Sequence, residues 1–423
     1  MKPAKTGLML CAALASTALV AIHGTAAQAN APSLTYETVM SELNGPWDMA
    51  FLEDGTMFFT EKCHGLSVRM PSGDVMRLLG MTGSEGYATT ADDLFCEGQA
   101  GMLGVAVDPD FASNRLIYVY SASTATGAQS NHVLRLRVAD DFASVSDRVD
   151  IVDDIPYKPA ASDHPFGGPG AHNGGRIRFH DGYLYVTTGD IHSGDGPQSP
   201  VRLAGKVLRI DGDGNPAPDN GAPEGFDPRI FTYGHRNVQG IAFDPDTGAV
   251  VIAEHGPWHS DEVTVLRPGG NGGWDPRPNM AGRGDCPDNY CGYSPNQMEG
   301  MDPAERAAFM PMTDTATYPD AMPPAWVNDG LSQGTGSAAF LVGDQWGDWN
   351  GMMAVGIMGI GFGGTPVGQR IDLLNIADDG MSAEVISMPL PMEPGRFRSV
   401  VLGPDGNLYA AMDEGEIYRI IPN

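Results

Sequence analysis

The sequence predicts an all-β chain folded as a six-bladed β-propeller. Three observations lead there. One phrase recurs along the 423 residues: a turn of Asp, Pro and Gly, then an alternating or apolar run. Glycine and proline are abundant, at 56 and 33 residues, yet aliphatic and aromatic residues return regularly, as in short strands joined by tight turns. Convincing amphipathic helices are nearly absent, with "DPAERAAFM" near 302 the best short candidate.

Six copies of the phrase can be read in order. They are "LEDGTMFFTE" at 52, "DPDFASNRLIYVYSA" at 108, "FHDGYLYVTTGD" at 179, "DPDTGAVVIAEHG" at 244, "WGDWNGMMAVGIMG" at 346 and "GPDGNLYAAMD" at 403. Further strand-like pieces such as "HVLRLRV", "KVLRIDG" and "DEVTVLRP" fall between them. Spacings of about 55 to 100 residues fit propeller blades carrying long connections. A β-sandwich needs far fewer residues, and a parallel α/β fold needs helices between its strands.

Residues 1–29 read as a signal peptide: Lys2 and Lys5, an apolar run from about Gly7 to Ile22, then Ala27-Gln28-Ala29 as a small-residue cleavage site. Leu10 before Cys11 is bulky where a lipoprotein signal wants a small residue. No later segment reaches the length of a transmembrane helix, so a periplasmic or secreted product is expected. Residues 30–423 are expected to form a single propeller domain, with an elaborated loop at about 275–335 rich in Pro, Met, Asn and Asp. Acids outnumber bases 53 to 25, for a formal charge of −28, which repels phosphate backbones and excludes nucleic acid as a partner. Cys63, Cys96, Cys286 and Cys291 remain after cleavage, and export favours disulfides, although four cysteines allow three pairings. Closeness in sequence favours Cys286–Cys291, which leaves Cys63–Cys96.

Several phrases carry chemistry at strand starts and ends. "GQAGMLGVAV" brings Gln99 to a strand, "AHNGGRIRF" brings His172, and "TTGD" ends a hairpin with Asp190. "YGHRNVQGIAF" supplies Arg236 and Asn237, and "AEHGPWHSDEV" follows with Gly256, Pro257, Asp261 and Glu262. In "PGRFRSVVLGPDG", Arg396 and Arg398 stand two apart, on one face of a strand. Taken singly, a loop histidine is more often a packing residue and alternating arginines a salt-bridged face. The combination around one channel is what argues for a site.

These phrases, with "GGNGGW" and "GRFRSVVLGPDGNLY", resemble the glucose/sorbosone dehydrogenase family, soluble quinoproteins that include aldose sugar dehydrogenases, from about Pro46 to Ile420. The resemblance implies a propeller holding pyrroloquinoline quinone (PQQ) and calcium, which oxidises a sugar or alcohol and passes electrons to an external acceptor. It assigns His172 as catalytic base, Asp190 as the acid that orients it, and Gln99 to the substrate side. Arg236, Asn237, Arg396 and Arg398 fall on cofactor contacts, and Gly256 and Pro257 on carbonyl ligands of calcium. Asp261 and Glu262 fall at a second, structural calcium. Such residue types suit the task. A tricarboxylate needs fixed cations, calcium prefers oxygen, and hydride transfer from an alcohol leaves a proton for an imidazole.

Three positions depart from the family pattern. Met358 stands where a lysine reaches the quinone, Ser399 where an acid often follows the second arginine, and Gly272 where a tyrosine is expected. Two other readings therefore stand beside the dehydrogenase: a non-catalytic binding propeller on the same scaffold, and a calcium-dependent lactonase-type hydrolase. The latter needs Glu, Asn and Asp side chains in the channel, where this chain's conspicuous groups are cationic.

Overall fold

Every copy of the repeated phrase does the same job, joining the first strand of a sheet to its second. The computed structural model describes residues 30–160, 167–278, 290–292, 301–328, 330–359 and 368–423; the expected signal peptide and Cys286 lie outside them. First strands run Pro46–Phe51, Met102–Val107, Gly174–His180, Val238–Phe243, Thr335–Phe340 and Phe397–Leu402. Their antiparallel partners are Met57–Glu61, Leu116–Ser123, Tyr183–Thr188, Val250–Glu254, Met353–Ile357 and Leu408–Met412. The turn residues act locally. Asp54 Oδ1 accepts Thr56 N–H at 2.8 Å, and Asp244 Oδ1 accepts the N–H groups of Asp246 and Thr247, both at 2.9 Å.

Each first strand touches the first strands of both neighbouring sheets, so the six sheets close into a ring around a channel. Third and fourth strands complete the blades. In the sixth, the outer strand Leu34–Met40 comes from the N-terminal end and pairs antiparallel with Ile417–Pro422. The first and the last of the described strands thus lie side by side. Apolar side chains fill the spaces between blades, as where Leu103, Tyr120, Ile177 and Val186 meet between the second and third. Burying each such side chain contributes about 1.5–3 kcal/mol. The expected helix forms at Pro303–Phe309, started by a reciprocal cap between Asp302 and Glu305.

The channel is closed by charge rather than by apolar packing. Arg176 and Asp48 are fully buried, 2.5 Å apart, and Arg178 binds both Asp48 oxygens at 2.7 and 2.8 Å. Arg176 also donates to Gln239 O at 3.1 Å and Arg398 O at 3.2 Å, and its guanidinium lies 4.1 Å from the Trp47 ring centroid. Asp48 accepts Val105 N–H at 3.1 Å and the Ser399 hydroxyl at 2.9 Å. One network therefore ties five blades together. Ser399 belongs to it, its hydroxyl lying between Asp48 and Arg176.

Cys63–Cys96 is formed. Cys291 is also disulfide-bonded. Among the described residues no helix is long and apolar enough to cross a membrane.

Desolvation pushes the Asp48 carboxyl up, but Arg176 and Arg178 pull it further down, to below its ordinary 3.8. A folded-state value depressed in this way gives stability that is full above the unfolded value and lost as pH falls through the folded one. Asp48→Asn is expected to cost about 3–5 kcal/mol at neutral pH, because it strands the buried guanidinium of Arg176 and the half-buried one of Arg178. It should also flatten the loss of stability below about pH 4. Denaturant melts at neutral and acid pH measure both effects, and a variant as stable as the parent would take this role from the pair.

Candidate active site

The turn phrases occupy one end of the propeller, so the starts of first strands and the ends of second strands gather at the other. His172 precedes the first strand of blade three and adopts φ 55°. Gly189 lets the two elements close up, since a Cβ there would lie 1.9 Å from His172 O. This contact seats Asp190, whose N–H donates to Arg236 O at 2.7 Å, beside the histidine.

His172 Nδ1 is 2.6 Å from Asp190 Oδ1, which places the ring proton on Nδ1 and leaves Nε2 as the acceptor. Nε2 faces Arg236 Nη2 at 3.2 Å and His192 Nε2 at 2.9 Å, both of which can donate to it. Asp190 is held by further donors: His192 N–H at 2.9 Å, Trp274 Nε1–H at 2.8 Å and the Tyr290 hydroxyl at 2.9 Å. Both dyad members are buried, His172 at 5% exposure and Asp190 at 0%. A base oriented through one nitrogen and presenting the other can move a proton.

The other expected residues complete a circle around the mouth. Gln99 Oε1 accepts His172 N–H at 3.2 Å, from blade two. Arg236 Nη1 donates to His255 O at 2.6 Å, while its N–H and that of Asn237 bind Glu254. Asn237 Oδ1 accepts Gly174 N–H at 3.1 Å, locking blade four to blade three. In blade six, Arg396 Nε lies 3.0 Å and Arg398 Nη2 2.8 Å from one carboxylate oxygen of Asp413, while Arg396 Nη1 donates to Met358 O at 3.0 Å. Two cations against one carboxylate leave a surplus of positive charge.

The Gly256–Pro257 turn offers backbone carbonyls, and it is pinned. Asp261 Oδ1 accepts Gly256 N–H at 2.9 Å and the Ser332 hydroxyl at 2.6 Å, while Oδ2 accepts Gln333 and Gly334 N–H at 2.6 and 3.1 Å. With four protein donors on its two oxygens, Asp261 is the anchor of this turn, and an ion would have to compete for it. Glu262 is buried and accepts the Thr313 hydroxyl at 2.9 Å. Desolvation, and then Glu254, pushes its carboxyl well above the ordinary 4.5, an environment a cation would relieve. Among the described residues no group of three or more His, Cys, Asp and Glu side chains is gathered as a metal centre. Oxygen ligands from the backbone would make a calcium site of another kind.

Strain concentrates here. Of the eleven non-glycine residues with positive φ among those described, His172, Ile191, His192, Trp258 and Ser260 all border this mouth. Sequence reasoning missed His192, Trp274, Tyr290 and Asp413. Tyr290 comes from the elaborated loop at about 275–335, and Trp274 from the end of "GGNGGW" just before it.

The aldose sugar dehydrogenase YliI of Escherichia coli is 27% identical over 398 residues, spanning 92% of this chain and 93% of that protein. The apo-form crystal structure of the soluble E. coli aldose sugar dehydrogenase superposes with a TM-score of 0.71 at 24% identity, covering 92% of this chain and 100% of that one. The PQQ-bound aldose sugar dehydrogenase of Streptomyces coelicolor gives 0.66 at 21% identity, covering 93% and 100%. These two structures share the propeller fold. A sequence model of the glucose/sorbosone dehydrogenases matches residues 43–419, and the chain belongs to that family.

Proposed function

We propose that this family member is an exported quinoprotein that oxidises an aldose or related alcohol, using PQQ and calcium and an external electron acceptor. The observation that supports it most is the Asp190–His172 dyad set beside Arg236, in a mouth that also holds Arg396 and Arg398. The donor set fits a tricarboxylate: Arg396 and Arg398 share the one carboxylate of Asp413, and Arg236 lies against His172. Arg236, Asn237, Arg396 and Arg398 would hold the cofactor, and the Gly256 and Pro257 carbonyls would hold calcium. When bound, PQQ supplies a hydride acceptor and calcium a Lewis acid.

The chain's own residues do the rest. A substrate hydroxyl reaching His172 Nε2 displaces the donors now facing it and gives up its proton there. Asp190 keeps the imidazole in the right tautomer and stabilises the imidazolium, while Trp274 and Tyr290 fix Asp190 in turn. Burial of the dyad keeps water from competing. Met358, 4% exposed, favours a second reading, a propeller that keeps the scaffold without the cofactor. Calorimetric titration of the apoprotein with PQQ and calcium separates the two: absence of quinone binding would sink the dehydrogenase reading.

His172→Ala is expected to leave PQQ affinity nearly intact and to lower turnover by about 10²–10⁴. Asp190→Asn should cost as much or less, since it only misorients the ring. Dye-linked sugar oxidation measures both, and near-parental turnover in His172→Ala would return the residue to packing. Chelation with EDTA should abolish quinone binding and activity together, and added calcium should restore both; binding indifferent to EDTA would remove calcium from the reading.

A further inference from the structure

The lysine missing at Met358 has a counterpart two blades away, on the other side of the arginines. In five blades the start of the first strand pairs with the end of the second: Pro46 with Glu61, Gly174 with Thr188, Val238 with Glu254, Thr335 with Ile357 and Phe397 with Met412. The next residue in each case stands at the channel mouth: Lys62, Gly189, His255, Met358 and Asp413. Lys62 is thus the blade-one equivalent of Met358 in blade five. Blades one and five both flank blade six, which carries Arg396, Arg398 and Asp413.

The surroundings of Lys62 are those of a cation held toward this mouth. Its Nζ donates to Gly98 O at 2.7 Å, next to Gln99, and among the described residues this is its one hydrogen-bond partner. An ammonium has three donors, so others stay available. Gly101 makes room for the stem, since a Cβ there would lie 2.9 Å from Lys62 Cγ. Burial, then Arg398, pulls the ammonium below its ordinary 10.5, and Asp413 pushes back. An anion at the mouth would face Lys62 and Arg398 together.

We propose that Lys62 supplies from blade one the cationic contact to a cofactor carboxylate that the family's lysine supplies from blade five. This rests on the quinone reading above. The charge of the site is kept, and its direction of approach is moved.

The test is PQQ binding by apoprotein in the presence of calcium, read by calorimetry. Lys62→Met should bind about 10- to 100-fold more weakly, the loss of one charge-assisted contact. Lys62→Gln, which keeps a donor without charge, should fall similarly, and Lys62→Arg should keep most of the affinity. Lys62→Met with Met358→Lys should recover binding. Affinity of the parent should fall more steeply with salt than that of Lys62→Gln. Lys62→Gln binding PQQ as tightly as the parent would overturn the proposal while leaving the quinone reading intact. A parent that binds no PQQ would overturn both.

Discussion

A ring of six blades has to be held at its axis, and here the axis is a buried ion pair. Arg176 and Asp48 sit where the first strands converge, and the network around them reaches Trp47, Val105, Gln239, Arg398 and Ser399. Taking these charges out of water is costly, and only near-complete pairing offsets it. The pairing is directional, so it fixes register as well as contact. Arg176 holds the backbone of Arg398, and the strand so held is the one that presents Arg396 and Arg398 to the mouth. The geometry of the site is therefore set from below, by a pair buried beneath it.

Above the plug, polar contacts at the mouth join four of the six neighbouring pairs of blades. Gln99 ties blade two to three, Asn237 ties four to three, Asp261 reaches the segment leading into blade five, and Arg396 ties six to five. The positive-φ residues in this circle cost energy, as such residues do wherever they occur. They persist because the contacts over-determine them, and they aim His172 Nε2 at a defined point.

What could be read from the sequence was what acts locally. Asp–Gly turn chemistry and strand alternation work over a few residues, so all six blades were legible. The dyad was legible through its motifs, "AHNGG" and "TTGD". The rest was not, because its partners lie far apart in the chain. Ser399 meets Asp48 across 351 positions and Tyr290 meets Asp190 across 100. A hint existed in "PWDMAF", where an acid interrupts a strand start buried at every position from Pro46 to Met49. A buried carboxylate demands a cation, and nothing local to that strand offers one. For the long loop no pattern distinguished Tyr290, whose role depends on where the loop folds back.

The clasp between Leu34–Met40 and Ile417–Pro422 bears on the order of assembly. A chain made from its N-terminus holds that first strand without its partner until nearly all the rest exists. Blade six is completed by residues that follow the other five blades in the chain, and Arg396, Arg398 and Asp413 belong to it. The cationic mouth therefore comes into being with ring closure and not before, so a chain whose ring has failed to close has no finished place for an anion to land.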